Sequence, residues 1–203
     1  MNTTTSDKRR YRGTAVEDRK AERRQLLIDA ATQVYGCCGY RHSGVKQVCD
    51  AAGLTQRYFY ESFRHSDELL IACYEQAARH VRELNSAAAE QAGPDPLERS
   101  RAMLTSFFTT LRDNPNLARL LLIDIRGIGP EVDRAIDDAL RASSEDITRT
   151  LLQSGRAPNE LLQAGILGGV IHIELHWMAG NFRTPIDQVT ETALKLGATL
   201  LTD

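Results

Sequence analysis

A chain of 203 residues can bury a real core in one large or two small domains, and 42% hydrophobic with 26% charged residues is an ordinary globular balance. No apolar run is long enough to span a bilayer, and the basic start MNTTTSDKRRYRG has no apolar segment behind it, so neither a membrane partner nor a secretory leader is expected. The net charge of −2 is divided unevenly: residues 1–65 hold 12 Lys and Arg against 7 Asp and Glu, the remainder 13 against 20, and a basic head on an acidic body suits a protein that meets a polyanion at one end.

Nearly every segment reads as helix, since no stretch alternates with period two. Residues 1–16, with Lys8, Arg9, Arg10 and Arg12, are polar and aperiodic and are expected as a flexible basic arm. From Glu17 to Tyr35 a first amphipathic helix carries Leu27, Ile28, Ala31, Val34 and Tyr35 on one face, and Gly36 and Gly39 end it. Ser43 is placed to cap a short second helix that turns Val45, Val48, Cys49 and Ala52 inward. Gly53 breaks the chain, and Thr55 caps a third short helix through Tyr60. A long fourth helix starts at Ser66, with Asp67 and Glu68 in its first turn, and runs to about Glu90. Cys37, Cys38, Cys49 and Cys73 lack paired ligand spacing and read as small buried hydrophobes of a reducing cytoplasm. No metal and no cofactor is expected.

Past Gly93-Pro94, helices are predicted near 95–113, 116–126, 130–154, 159–181 and 185–201. Asn114-Pro115, the Gly127 to Pro130 turn, Gly155 with Pro158, and Pro185 separate them. The fold class is therefore all-α, with about nine helices. A three-helix head over 17–65 precedes a helical body over 66–203.

Two short helices joined by a tight glycine turn and packed on a longer one form a helix-turn-helix. Ala51, Ala52 and Gly53 permit close approach, while Leu54, Phe59 and Phe63 anchor the shared core. A third helix this short is held by packing, which leaves Thr55, Gln56, Arg57 and Tyr58 free to enter a major groove. Gln pairs bidentately with adenine and Arg with guanine. Lys46, Tyr60 and Arg64 are candidate phosphate contacts. The plain alternative is an αα-corner with solvated side chains, and the basic arm weighs against it.

Residues 26–70, LLIDAATQVYGCCGYRHSGVKQVCDAAGLTQRYFYESFRHSDELL, resemble the N-terminal domain of TetR-type regulators. Leu27, Ile28, Ala30, Ala31, Gly39, Tyr40, Val45, Ala52, Gly53, Tyr60, Phe63, Leu69 and Leu70 fall in register. Gly44 stands where the family has a phosphate-binding Thr, Ser66 where it has a Lys, and Arg57 and Tyr58 make the reading helix bulkier. The resemblance implies a homodimer on a double-stranded DNA operator. It also implies a body that binds a small effector and dimerises through its last two long helices.

The body is compatible with that. An effector pocket is expected from Tyr74, Met103, Phe107, Phe108, Leu111, Leu120 and Met178, with Leu104, Leu117 and Leu121 alongside. Arg126 and Asp124 are placed to orient one polar end of a ligand. Gly165, Gly168 and Gly169 within one helix suggest a dimer seam with the last helix, whose stripe is Val189, Ala193, Leu196 and Leu200; close packing inside one subunit is the alternative. His172 and His176, four apart on one face, are placed at that seam, and no third metal ligand converges on them. No nucleophile–base pattern or phosphate loop appears, so an enzyme is not expected. The expected function is a sequence-specific DNA-binding transcriptional regulator in the cytoplasm, a repressor released by a small apolar or amphipathic effector. The second reading is a helical metal-binding protein or enzyme using the His172/His176 face.

Overall fold

The computed structural model describes residues 4–123, 125–151 and 160–197, with side chains from Glu17 onward apart from Leu151. Among the described residues there are nine α-helices, one short 3-10 turn and no strand. They belong to two compact units, residues 1–73 and 74–203. The division falls inside a helix, beyond the boundary after residue 65 that the sequence suggested.

The first unit holds α1 (Thr4–Cys38), the 3-10 turn Tyr40–His42, α2 (Val45–Ala52), α3 (Gln56–Ser62) and the start of α4 (Ser66–Gln91). Leu27, Ile28, Ala31, Val34 and Tyr35 form the buried face of α1, as their spacing requires. The backbone of residues 4–16, expected as an arm, continues α1. Lys and Arg are good helix formers and no proline interrupts the run, so propensity extends the helix where no apolar stripe marks it. The side chains of Lys8, Arg9, Arg10 and Arg12 lie outside the described ones. Gly36 sits within the helix, and the turn is made at Gly39, whose φ is 80°.

Ser43 does not cap α2. Gly44 occupies the N-cap, and the Ser43 hydroxyl donates instead to the Gly39 carbonyl at 2.8 Å. At the other end Gly53 takes φ 65°, and the N–H of Leu54 closes on the Cys49 carbonyl at 2.9 Å. That left-handed closure is what a glycine C-cap provides. Thr55 is the N-cap of α3 by backbone position, without a side-chain hydrogen bond. Phe59, Phe63, Leu69 and Leu70 join Val48 and Cys49 in the core. Of the four cysteines only Cys49 and Cys73 are buried; Cys37 and Cys38, on the outward side of the last turn of α1, are exposed.

The second unit comprises the rest of α4 with α5 (Pro96–Asp113), α6 (Pro115–Leu122), α7 (Pro130–Leu151), α8 (Glu160–Ala179) and α9 (Ile186–Gly197). Three of these start on proline, whose fixed φ and missing N–H suit a first helical position. Asp95 also accepts from the Glu98 N–H at 2.9 Å to cap α5. Gly155, Pro158 and Leu200 lie outside the described residues. α5 packs on α7 and α9, and α8 on α7 and α9. Their core is Phe108, Ile166, Val170, Trp177, Val189 and Ala193. Between α8 and α9, Asn181 and Phe182 adopt left-handed φ of 54° and 56°. The edge-on contact of Phe182 with Trp177 (5.0 Å) helps offset that cost, and the indole N–H donates to the Thr184 carbonyl at 2.8 Å.

Candidate functional site

The short helix α3 is fixed from below by Phe59, which is 1% exposed, and by the Phe63 ring under the Arg24 guanidinium. Its outward residues are Gln56, Arg57 and Tyr60, with Thr55 exposed at the start and Arg64 just beyond the end. Tyr58 is only half exposed, because the Arg23 guanidinium of α1 lies 4.5 Å above its ring. Each cation placed at this surface by the sequence is held by a carboxylate four residues on. Lys46 pairs with Asp50 at 2.6 Å, Arg57 with Glu61 at 3.1 Å, and Arg64 with Glu68 at 3.2 Å. Lys46 is held above its ordinary value by the hydrogen bond to Asp50, and Glu68 below its own chiefly by the Arg64 backbone N–H. Such exposed pairs are worth little, so a stronger anion displaces them readily. Glu61 would then keep Arg23, 3.6 Å away. The Tyr40 hydroxyl donates to Asp67, tying the turn after α1 to the first turn of α4.

In the second unit α4, α5, α7 and α8 surround a cavity of ≈ 190 Å³, with contributions from α6 and α9. That is far above the roughly 10–15 Å³ a single water needs. Tyr74, Ala78, Val81, Arg82 and Asn85 line it along one face of α4; Ile136, Leu140, Ser143, Asp146 and Ile147 do so along α7. Of the expected pocket residues, Tyr74, Met103 and Phe107 are brought together there, with Leu104 and Leu121. Phe108, Leu111, Leu120 and Met178 do not line it. Phe108 packs edge-on to Trp177, Leu111 is buried with Val81 and Ala118, Met178 packs against that same cluster, and Leu120 is 3% exposed. Phe107 turns to the space, whereas Phe108 turns about 100° from it toward Trp177. Arg126 borders the cavity, whereas Asp124 lies outside the described residues. Burial pushes the Tyr74 phenol up to about 12; the Arg126 charge pulls it down and Asp137 pushes it up.

A reading head of this kind in front of a helical, cavity-bearing unit has counterparts among known proteins. No family model matches the chain. It is 25% identical over 174 residues to the HTH-type transcriptional activator FasR of Mycolicibacterium smegmatis, spanning 82% of this chain and 76% of that one. The FadR regulator of Bacillus subtilis, solved in complex with stearoyl-CoA, superposes with a TM-score of 0.70 at 19% identity, over 85% of this chain and 96% of that one. A TetR family transcription regulator from Marinobacter aquaeolei gives 0.67 at 19% identity, over 89% and 97%. The fold is that of TetR-type transcriptional regulators.

In the second unit the residues expected at a dimer seam separate into two groups. Val189 (5% exposed) and Ala193 (0%) belong to the subunit's own core. A Cβ at Gly169 would lie 2.9 Å from Leu196 Cδ1, so that glycine serves the contact of α8 with α9 inside one chain. Gly165, His172 and His176 are exposed, and a Cβ at Gly165 or Gly168 would meet nothing. They share a face with Leu161, which is 84% exposed. Glu174 is fully buried on the opposite side, so it does not converge with the two histidines on a metal. Among the described residues no group of three or more metal-ligating side chains occurs. No helix among them is long and apolar enough to cross a membrane.

The sequence reading missed Arg23 and Arg24, and the polar residues of the cavity, Arg82, Asn85, Ser143 and Asp146. The carboxylate partners of Lys46, Arg57 and Arg64 carried a signal, the i, i+4 spacing of opposite charges. The cavity faces of α4 and α7 carried a weaker one, apolar stripes interrupted by polar residues.

Proposed function

We propose that the chain is a homodimeric, sequence-specific DNA-binding repressor of the cytoplasm, and that its second unit binds a long-chain acyl thioester that releases it from its operator. The observation that carries this reading is the ≈ 190 Å³ cavity, lined mainly by Val, Leu, Ile, Met and Phe, in a fold shared with a regulator solved with stearoyl-CoA. An alkyl chain gains dispersion contacts there and demands no fixed charge. Gln56 and Arg57 would read base edges, with Thr55 and Tyr58 at the rim and Lys46, Tyr60 and Arg64 on phosphates. Tyr58 keeps Arg23 above its ring and so contributes less than its neighbours. One short reading helix per chain contacts few bases, so two heads on a near-palindromic site are needed. The exposed face of α8, with Gly165, His172 and His176, supports pairing of subunits.

The test is selection of bound duplexes followed by titration with acyl-CoA. The expected site has half-sites about 34–36 Å apart or a multiple of that. Arg57→Ala should cost about 1–3 kcal/mol and relax preference at one base pair, whereas Lys46→Ala should weaken all sequences alike and reduce the salt slope by about 1. Stearoyl-CoA should release the duplex and acetyl-CoA should not. Absence of salt-sensitive duplex binding would sink the DNA assignment; release by neither thioester would sink the ligand assignment alone.

A further inference from the structure

The two ends of the cavity differ from its middle. On α4, Arg82 donates from Nε to Asp146 Oδ2 of α7 at 2.7 Å, while Tyr74, eight residues earlier, feels the charges of Arg126 and of Asp137, nine residues before Asp146. The Arg82–Asp146 bond ties α4 to α7 at one end of the cavity. At 1.5 Å per residue, about 12–14 Å of apolar lining separates the Tyr74 end from the Arg82 end.

At the Arg82 end two cations already share one carboxylate. Asp146 accepts from Arg82 and, on its other oxygen, from Arg149 at 3.1 Å. Asn85, one turn beyond Arg82 on the same face of α4, also borders the cavity, and its Oδ1 is buried with no hydrogen-bond partner. Ser143 completes this end; its hydroxyl donates to the Ala139 carbonyl at 3.0 Å and keeps its lone pairs as acceptors. An orphaned buried carbonyl oxygen is a standing cost that a ligand group can relieve. A full anion does not suit the place, since the Asp146 carboxylate already occupies Arg82 and would repel it.

Resting on the acyl reading above, we propose that the Asn85 carboxamide, flanked by Arg82 and Ser143, is a specificity subsite for a neutral hydroxyl or secondary amide carried by an otherwise apolar ligand chain. Either group donates and accepts, so it satisfies a carboxamide in both of its orientations. The ligand class becomes an acyl chain with a hydrogen-bonding group set roughly a cavity's length from its other polar end, borne on the chain itself or in the amide arm of a thioester.

Calorimetric binding to the full-length dimer separates these sources with three probes: stearic acid, hydroxystearic acids with the hydroxyl at successive positions, and S-stearoyl pantetheine. The wild type should bind one hydroxystearic acid, or the pantetheine thioester, about tenfold more tightly than stearic acid, which is about 1.4 kcal/mol. Asn85→Leu should reverse that order by improving stearic acid while weakening the favoured probe. Asn85→Ala, which adds no bulk, should abolish the preference if the leucine variant folds poorly. A preference for a hydroxystearic acid places the group on the chain, and one for the thioester places it in the amide arm. The same ranking in wild type and both variants would overturn the subsite, as it would if a trapped water already satisfies Asn85. If no probe binds any of the proteins, the acyl reading falls and the subsite with it.

Discussion

At Glu174 a carboxyl group lies 0% exposed, on the face of α8 that also carries Ile166, Val170 and Trp177, and neither oxygen has a hydrogen-bond partner. Burial alone raises its pKa from 4.5 to about 7. The folded chain then keeps a proton that the unfolded chain loses above pH 4.5. Stability contributed below that value is therefore lost as pH rises to about 7, and the loss is complete beyond it. The penalty above pH 7 is on the order of 3 kcal/mol. Glu174→Gln keeps the shape and removes the charge. Thermal unfolding between pH 4 and 8 should show the variant gaining Tm at pH 8, with the gain gone or slightly reversed at pH 4. A difference independent of pH would mean that the carboxylate is paired in the folded protein. Glu174 was legible in sequence only as the odd residue between two histidines. Its burial follows from helix phase, because residues 170, 174 and 177 share one face.

On α8 the same phase sorts the glycines. The helix is apolar on all sides, which ordinarily means burial on all sides, yet one of its faces is open. The sequence showed small residues that allow close helix approach without showing which side each serves. Gly169 and Leu196 proved to serve α9 of the same chain, and Val189 and Ala193 the core. An arginine at Gly169 would thus disturb the subunit itself. Gly165, where a Cβ meets nothing, gives the cleaner experiment. Gly165→Arg should leave Tm of the isolated chain unchanged or slightly higher, since glycine costs a helix interior about 0.8–1.0 kcal/mol relative to alanine. It should also convert the proposed dimer to a monomer in sedimentation at micromolar concentration. A variant that remains dimeric places the interface on another face.

For the whole molecule, the helix order and the two short helices of the first unit were legible because local rules decide them: apolar spacing, glycine turns and proline starts. The cavity was legible along α5, where Met103, Leu104 and Phe107 stand in one apolar face, and at Tyr74 and Leu121. Along α4 and α7, Arg82, Asn85, Ser143 and Asp146 interrupt the stripe and disguise it as a solvated surface. The chain passes from one unit to the other once, inside α4, where Cys73 donates to the Ile28 carbonyl of the first unit and Tyr74 lines the cavity of the second. An effector can shift DNA binding only by preferring one arrangement of the protein, and moving a population from 1:99 to 99:1 requires about 5.5 kcal/mol of preference. On the proposed function that preference arises where the ligand meets Tyr74 and Phe107. Phe107→Trp adds bulk to the cavity wall and leaves the head untouched, at an overpacking cost of about 1–3 kcal/mol. The variant should bind the operator as the wild type does, bind stearoyl-CoA at least about tenfold more weakly, and stay on the duplex at acyl-CoA concentrations that release the wild type. Normal release by a variant that folds and binds DNA would place the effector outside this cavity, while loss of operator binding without ligand would show that Phe107 supports the DNA-competent arrangement itself.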